Sequence, residues 1–77
     1  MKRTVYNALR SYFKGQLEKH RANVNIHVEK AVGVAEHPDI MDTIEKELEI
    51  IADYHDKLSV LKKYFPVKNS ARGVING

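Results

Sequence analysis

Two long segments of the chain repeat apolar residues at steps of three and four. The first runs through Val5, Leu9, Phe13, Leu17, His20, Val24, His27 or Val28, and Ala31. The second runs through Ile40, Ile44, Leu48, Ile51, His55, Leu58, Leu61 and Phe65. This spacing lines side chains along one stripe of an α-helix. Strict alternation, which a strand needs, occurs only at Val24-Asn25-Ile26-His27-Val28, a β-tolerant stretch inside the first segment. The pattern predicts an all-α protein with helices over about 3–31 and 38–65, a link over 32–37, and a flexible basic tail over 66–77.

The punctuation agrees with the periodicity. Gly33 suits the left-handed residue that closes a helix, and Pro38 suits a first helical turn, where its missing N–H costs nothing. Asp39, Asp42 and Glu45 then face the positive end of the second helix. Pro66 stops that helix at Phe65, because the residue before a proline avoids helical geometry. A short link makes two helices antiparallel neighbours. Pairing about the link joins residues whose numbers total roughly 70, which places Phe13 near Leu58 and Leu9 near Leu61. Gly15 then falls near Tyr54 and His55, and making room for these rings is the expected reason for a glycine there, with a helix break as the alternative.

Each helix also carries a second apolar row: Ile50, Tyr54, Leu61 and Tyr64 on one, Tyr6, Tyr12, Ala22 and Ile26 on the other. One partner helix cannot cover two rows, so the expected architecture is a two-helix antiparallel hairpin that dimerises into a four-helix bundle. A discrete third partner is the competing explanation. The length of 77 residues sharpens this expectation. A core that small rarely supplies more than about 3–5 kcal/mol without a staple. The absence of cysteine excludes disulfides, thiolate zinc sites and a thiol nucleophile. The predicted oligomer seam is Leu48, Ile51, His55 and Leu58 with Phe13 and Leu17, and the expected state is a homodimer.

Charge is sorted along the chain. Residues 1–30 hold seven cations against two acids, residues 31–56 hold one against eight, and residues 57–77 hold five cations and no acid. The net charge of +3 is what remains of these blocks. Folding the hairpin gathers Lys2, Arg3, Arg10, Lys14, Lys57, Lys62, Lys63, Lys68 and Arg72 at the open end and leaves the link end acidic. Three readings stay open: complementing the helix dipoles, self-association with basic poles beside acidic poles, and a nucleic-acid contact. In the last, Lys2, Arg3, Arg10, Lys14, Lys62, Lys63 and Arg72 would meet phosphates while tyrosines stack on bases. No recognition motif accompanies that third reading.

Catalytic and metal-binding signatures are absent from the sequence. His20, His27, His37 and His55 lack the i, i+3 or i, i+4 ligand spacing of helical metal sites, so no metal or other cofactor is expected. His55 reads instead as a partly buried, hydrogen-bonded ring, and His37 as part of the cap before Pro38. Ser11, Ser59 and Ser70 have no positioned His and acid beside them, and no glycine-rich phosphate loop occurs, so no enzyme activity is expected. Asp42 and Lys46 have the spacing of an i, i+4 ion pair. The basic start is not followed by a secretory apolar run, and no stretch is apolar enough to span a membrane, so a soluble cytoplasmic protein is expected.

The central stretch resembles a class of short, uncharacterised proteins of tailed bacteriophages of the T-even-like group, including phages of marine cyanobacteria. The residues that carry this resemblance are Val32-Gly33-Val34-Ala35-Glu36-His37-Pro38-Asp39-Ile40, Ile44-Glu45, Ile51-Ala52, Asp56-Lys57-Leu58 and Tyr64-Phe65, over about residues 26–65. Glycine often stands in that class where this chain has Ala35. The resemblance brings no activity and no functional residue. It implies expression in a bacterial host cytoplasm and a host-takeover or virion-accessory role. In that setting Glu36, His37 and Asp39 have two readings, a capped helix entry or a docking tip presented to a host protein. The function expected from sequence is a non-enzymatic helical interaction module, with a small nucleic-acid-binding protein as the alternative.

Overall fold

The computed structural model describes residues 1–31 and 38–67. Helix α1 spans Arg3–Ala31 and helix α2 spans Pro38–Tyr64, and the two pack against each other. No strand occurs among the described residues. The predicted helix boundaries hold to within one residue. Phe65 leaves the α2 assignment but still donates its backbone N–H to the Leu61 carbonyl at 3.0 Å, so the last turn closes just before Pro66. At the other entrance Tyr6 N–H reaches the Lys2 carbonyl, also at 3.0 Å. The link 32–37, with the proposed docking residues Glu36 and His37, and the tail from 68 on, with Arg72, lie outside the described residues.

The helices are antiparallel, as the short link requires. Phe13 meets Tyr54 near the open end, and His20 meets Glu47 towards the link. Residues whose numbers total about 67 therefore stand level, close to the register expected from the link. The Val24–Val28 stretch is helical. Its β-branched residues carry little weight within a 29-residue helix whose other face is packed.

The seam between the helices is a heptad pattern. On α1 the half-buried positions include Tyr6, Phe13, His20 and His27, seven apart, with Leu9, Gln16 and Asn23 between them. On α2 they include Ile40, Glu47, Tyr54 and Leu61, with Ile44, Ile51 and Leu58 between them. This is a coiled-coil spacing. The face of α2 keeps Ile40, Ile44, Ile51, Leu58 and Leu61 of the stripe read in the sequence but is turned by a fraction of a residue towards Glu47 and Tyr54. Leu48 and His55, expected in the packed stripe, are exposed, and their places are taken by Glu47 and Tyr54. His55 is consequently not the partly buried ring expected. Tyr54 fills its level with a larger aromatic surface against Tyr12 and Phe13, and Glu47 is accepted because His20 and Asn23 donate to it. Tyr54, assigned to a second row in the sequence, belongs to this first one, and Leu61, read in both rows, is its buried member.

Gly15 does not make room for rings. A methyl group built on it meets nothing within 4 Å, and the residue is exposed on a continuous helix. The sequence-based explanation therefore fails because the ring levels lie on the opposite side of α1. Gly15→Ala is expected to stabilise the protein by about 0.5–1 kcal/mol, through lower backbone entropy in the unfolded chain. Thermal and urea unfolding check this, and a lower melting temperature would show that the glycine has a packing role.

A polar layer in the seam and an uncovered face

The hairpin encloses very little. Among the described residues Leu61, at 5% exposure, is the one buried apolar side chain. Ten large hydrophobic residues are two-fifths or more exposed, among them Leu48 at 52% and Met41 at 63%. Two parallel cylinders touch along a line, and one stripe on each is all that the contact can cover.

Within the seam sits a polar layer. The ring Nδ1 of His20 lies 2.6 Å from Oε1 of Glu47, with the two side chains 13% and 15% exposed. Asn23 donates from Nδ2 to the same oxygen at 3.3 Å. With the proton of neutral imidazole on Nδ1, His20 is the donor, and the carboxylate accepts from both residues. The His20 hydrogen bond holds the Glu47 carboxyl below its ordinary value of 4.5, assisted by Asn23 and by the nearby His27 and opposed by burial. The His20 ring stacks on Tyr54 at a centroid distance of 6.4 Å, which fixes the imidazole plane. Sequence reading missed this layer because it followed Leu48 rather than Glu47. The signal that could have found it is the strict seven-residue recurrence Ile40, Glu47, Tyr54, Leu61 opposite Tyr6, Phe13, His20, His27.

Toward the open end Tyr54 is the hub of an aromatic cluster. Its centroid is 6.0 Å from both Tyr12 and Phe13, and Lys57 Nζ lies 5.0 Å above its ring. Hydrogen bonding to Tyr12 raises the Tyr54 phenol above its ordinary value. Lys57 is raised in turn by its bond to Asp53, 3.1 Å away. That i, i+4 pair forms in α2, whereas Asp42 and Lys46, which have the same spacing, make no such bridge among the described residues.

Two concave apolar surfaces remain open. One, at the open end, is walled by Met1, Leu9, Phe13, Val60, Leu61 and Phe65. The other lies along one side of the hairpin, between Arg21, Val24 and Asn25 of α1 and Leu48 and Ile51 of α2. The predicted seam residues are thereby divided. Phe13, Leu17, Ile51 and Leu58 are half-buried between the helices, while Leu48 and His55 edge an uncovered face. Of the residues proposed to contact nucleic acid, Lys2, Arg3, Arg10, Lys14, Lys62 and Lys63 are exposed, and antiparallel packing brings them to one end. Asp39 is exposed in the first turn of α2. No group of three or more metal-ligating side chains converges among the described residues, and no helix is long and apolar enough to cross a membrane. Comparison with protein-family models, curated proteins and solved structures returns no match.

Proposed function

We propose that this chain is a non-enzymatic helical interaction module that completes its core by self-association, as a homodimer in the form of a four-helix bundle, and then engages a protein partner. The observation that carries this reading is the imbalance, among the described residues, between one buried apolar side chain and ten exposed large ones. Hydrophobic burial is the main term opposing chain entropy. A hairpin that leaves Val28, Met41 and Leu48 exposed beside the half-buried Val24 and Ile51 keeps that term small, whereas a second hairpin laid over them would remove them from water. The resemblance over residues 26–65 supports a phage setting for the module, in which a host protein would be the partner reached after assembly. The alternative, a nucleic-acid contact, draws on the gathering of exposed lysines and arginines at the open end. It is opposed by the seven acids of α2, which repel phosphates along the flank of the same molecule.

Sedimentation equilibrium over a hundredfold concentration range tests the assembly. The expected result is an apparent mass rising from 8.8 kDa towards twice that value, with a melting temperature that rises in parallel. A folded species of 8.8 kDa at every concentration would overturn the proposal.

A further inference from the structure

The two helices carry opposite net charge. Helix α1 has six cations and two acids, and α2 has four cations and seven acids. The open side of the hairpin keeps these charges on separate edges. Arg21 borders the groove on the α1 edge, with Lys14 seven residues before it on the same side of the helix. Glu45, three residues before Leu48 and four after Met41, borders it on the α2 edge. Arg21, Lys14 and Glu45 are exposed and make no ion pair among the described residues. Between the edges lies an apolar strip of Val24, Leu48 and Ile51, and the exposed Val28 and Met41 continue the rows of Arg21 and Leu48 towards the link.

A second copy can cover that strip in two ways. With the open ends at opposite poles, a two-fold axis across the hairpin lays α1 on the partner's α1 and α2 on the partner's α2, so that the two net-basic α1 helices lie against each other. With the open ends at the same pole, a two-fold axis along the hairpin lays α1 on the partner's α2. Every neighbouring pair of helices in the bundle is then oppositely charged and antiparallel. The register fits this second arrangement. Level positions total about 67 in number, so Arg21 stands level with residue 46 and within one residue of Glu45, and Val28 stands within two residues of Met41.

We propose that the occupant of the open face is a second copy of this chain, related by a two-fold axis along the hairpin, with Arg21 of each copy paired to Glu45 of the other. This rests on the self-association reading above. It reverses the pole-to-pole pairing expected from the charge blocks, because the charges that border the groove, Arg21 on α1 and Glu45 on α2, differ by helix. The arrangement brings the two basic open ends together. Their lysines and arginines are exposed to solvent and are screened within about 8 Å at physiological salt.

Charge reversal tests the arrangement. Arg21→Glu and Glu45→Arg singly are each expected to weaken dimerisation roughly tenfold, since each places like charges at two symmetry-related contacts. The double variant, R21E with E45R in one chain, is expected to return to within about twofold of the parent. Helical circular dichroism at high protein concentration confirms that each variant folds. If the parent dimerises but the singles do not weaken it, or the double variant is not restored, this arrangement is wrong while self-association stands. If the parent never dimerises, the self-association reading itself fails.

Discussion

Leu61→Ala is expected to cost the protein about 2 kcal/mol of stability in dilute solution, the largest loss from any single apolar truncation in the hairpin. Among the described residues Leu61 is the one buried apolar side chain, and it stands beside Leu9, Phe13 and Phe65 at the open end. Truncating a buried leucine costs about 2–5 kcal/mol, the sum of lost transfer energy and the cavity left behind. The cleft beside Leu61 is open, so its walls can collapse, and the cost falls towards the lower end of that range. Against a total stability of about 3–5 kcal/mol for a core of this size, even about 2 kcal/mol is a large fraction. Leu48→Ala supplies the contrast. Leu48 is half-exposed in the hairpin, so its truncation changes the stability of the dilute chain by less than about 0.5 kcal/mol. The same change is expected to weaken the proposed dimer, in which Leu48 would lie in the covered strip. Urea titrations at low and high protein concentration separate the two effects. Equal losses for Leu61→Ala and Leu48→Ala in dilute solution would show that Leu61 does not hold the hairpin closed.

The second large effect is expected at the polar layer. Glu47→Ala leaves the donors of His20 and Asn23 without their shared acceptor in a half-buried seam, and a loss of about 1–3 kcal/mol follows. The combined change His20→Leu with Glu47→Leu removes both sides of the pair and continues the apolar seam. Such replacements are commonly neutral or stabilising by about 1–4 kcal/mol. The double variant should therefore melt above the parent while the single variant melts below it. A double variant as unstable as the single would show that the layer contributes to stability and not only to register.

The layer also has a defined acid response. The Glu47 carboxyl is lowered in the fold relative to its ordinary value of 4.5. Its contribution is therefore fully present above that value and is lost as pH falls through the lower, folded value. The stability difference between the parent and Glu47→Ala should shrink between pH 7 and pH 3, by chemical denaturation at each pH. A difference that stays constant across that range would place the Glu47 contribution outside its charge.

A physical reason for retaining such a layer is register. Apolar seams tolerate sliding by a heptad, because one leucine or isoleucine level resembles the next. A hydrogen-bonded His–Glu–Asn level has one matching position along the hairpin, and a slip leaves polar groups unpaired in the seam. Nothing in the local sequence of either helix shows this, since His20 and Glu47 are 27 residues apart and meet only after the chain turns back.

The helix ends were legible because local chemistry sets them. Pro38 opens α2, Pro66 closes it, and three- and four-residue spacing fills the interval. The antiparallel register was legible to within a few residues because a short link constrains it. Which side of α2 faces α1 was less so. Leu48 and Glu47 are adjacent, and a pattern reading prefers leucine in a seam. Gly15 was misread for the same reason, since its level was right and its direction around α1 was not.

The sequence by itself determined two helices, their ends, their antiparallel order and the sorting of charge into a basic and an acidic helix. These follow from interactions within a few residues or from the length of the link. Only the tertiary structure decided the rotation of each helix about its axis. That rotation depends on how the best seam is assembled from both helices at once, with Tyr54 seated on Tyr12 and Phe13 and Glu47 satisfied by His20 and Asn23. The same rotation sends Leu48 and Met41 outward and leaves the hairpin with the open face proposed to seat its second copy.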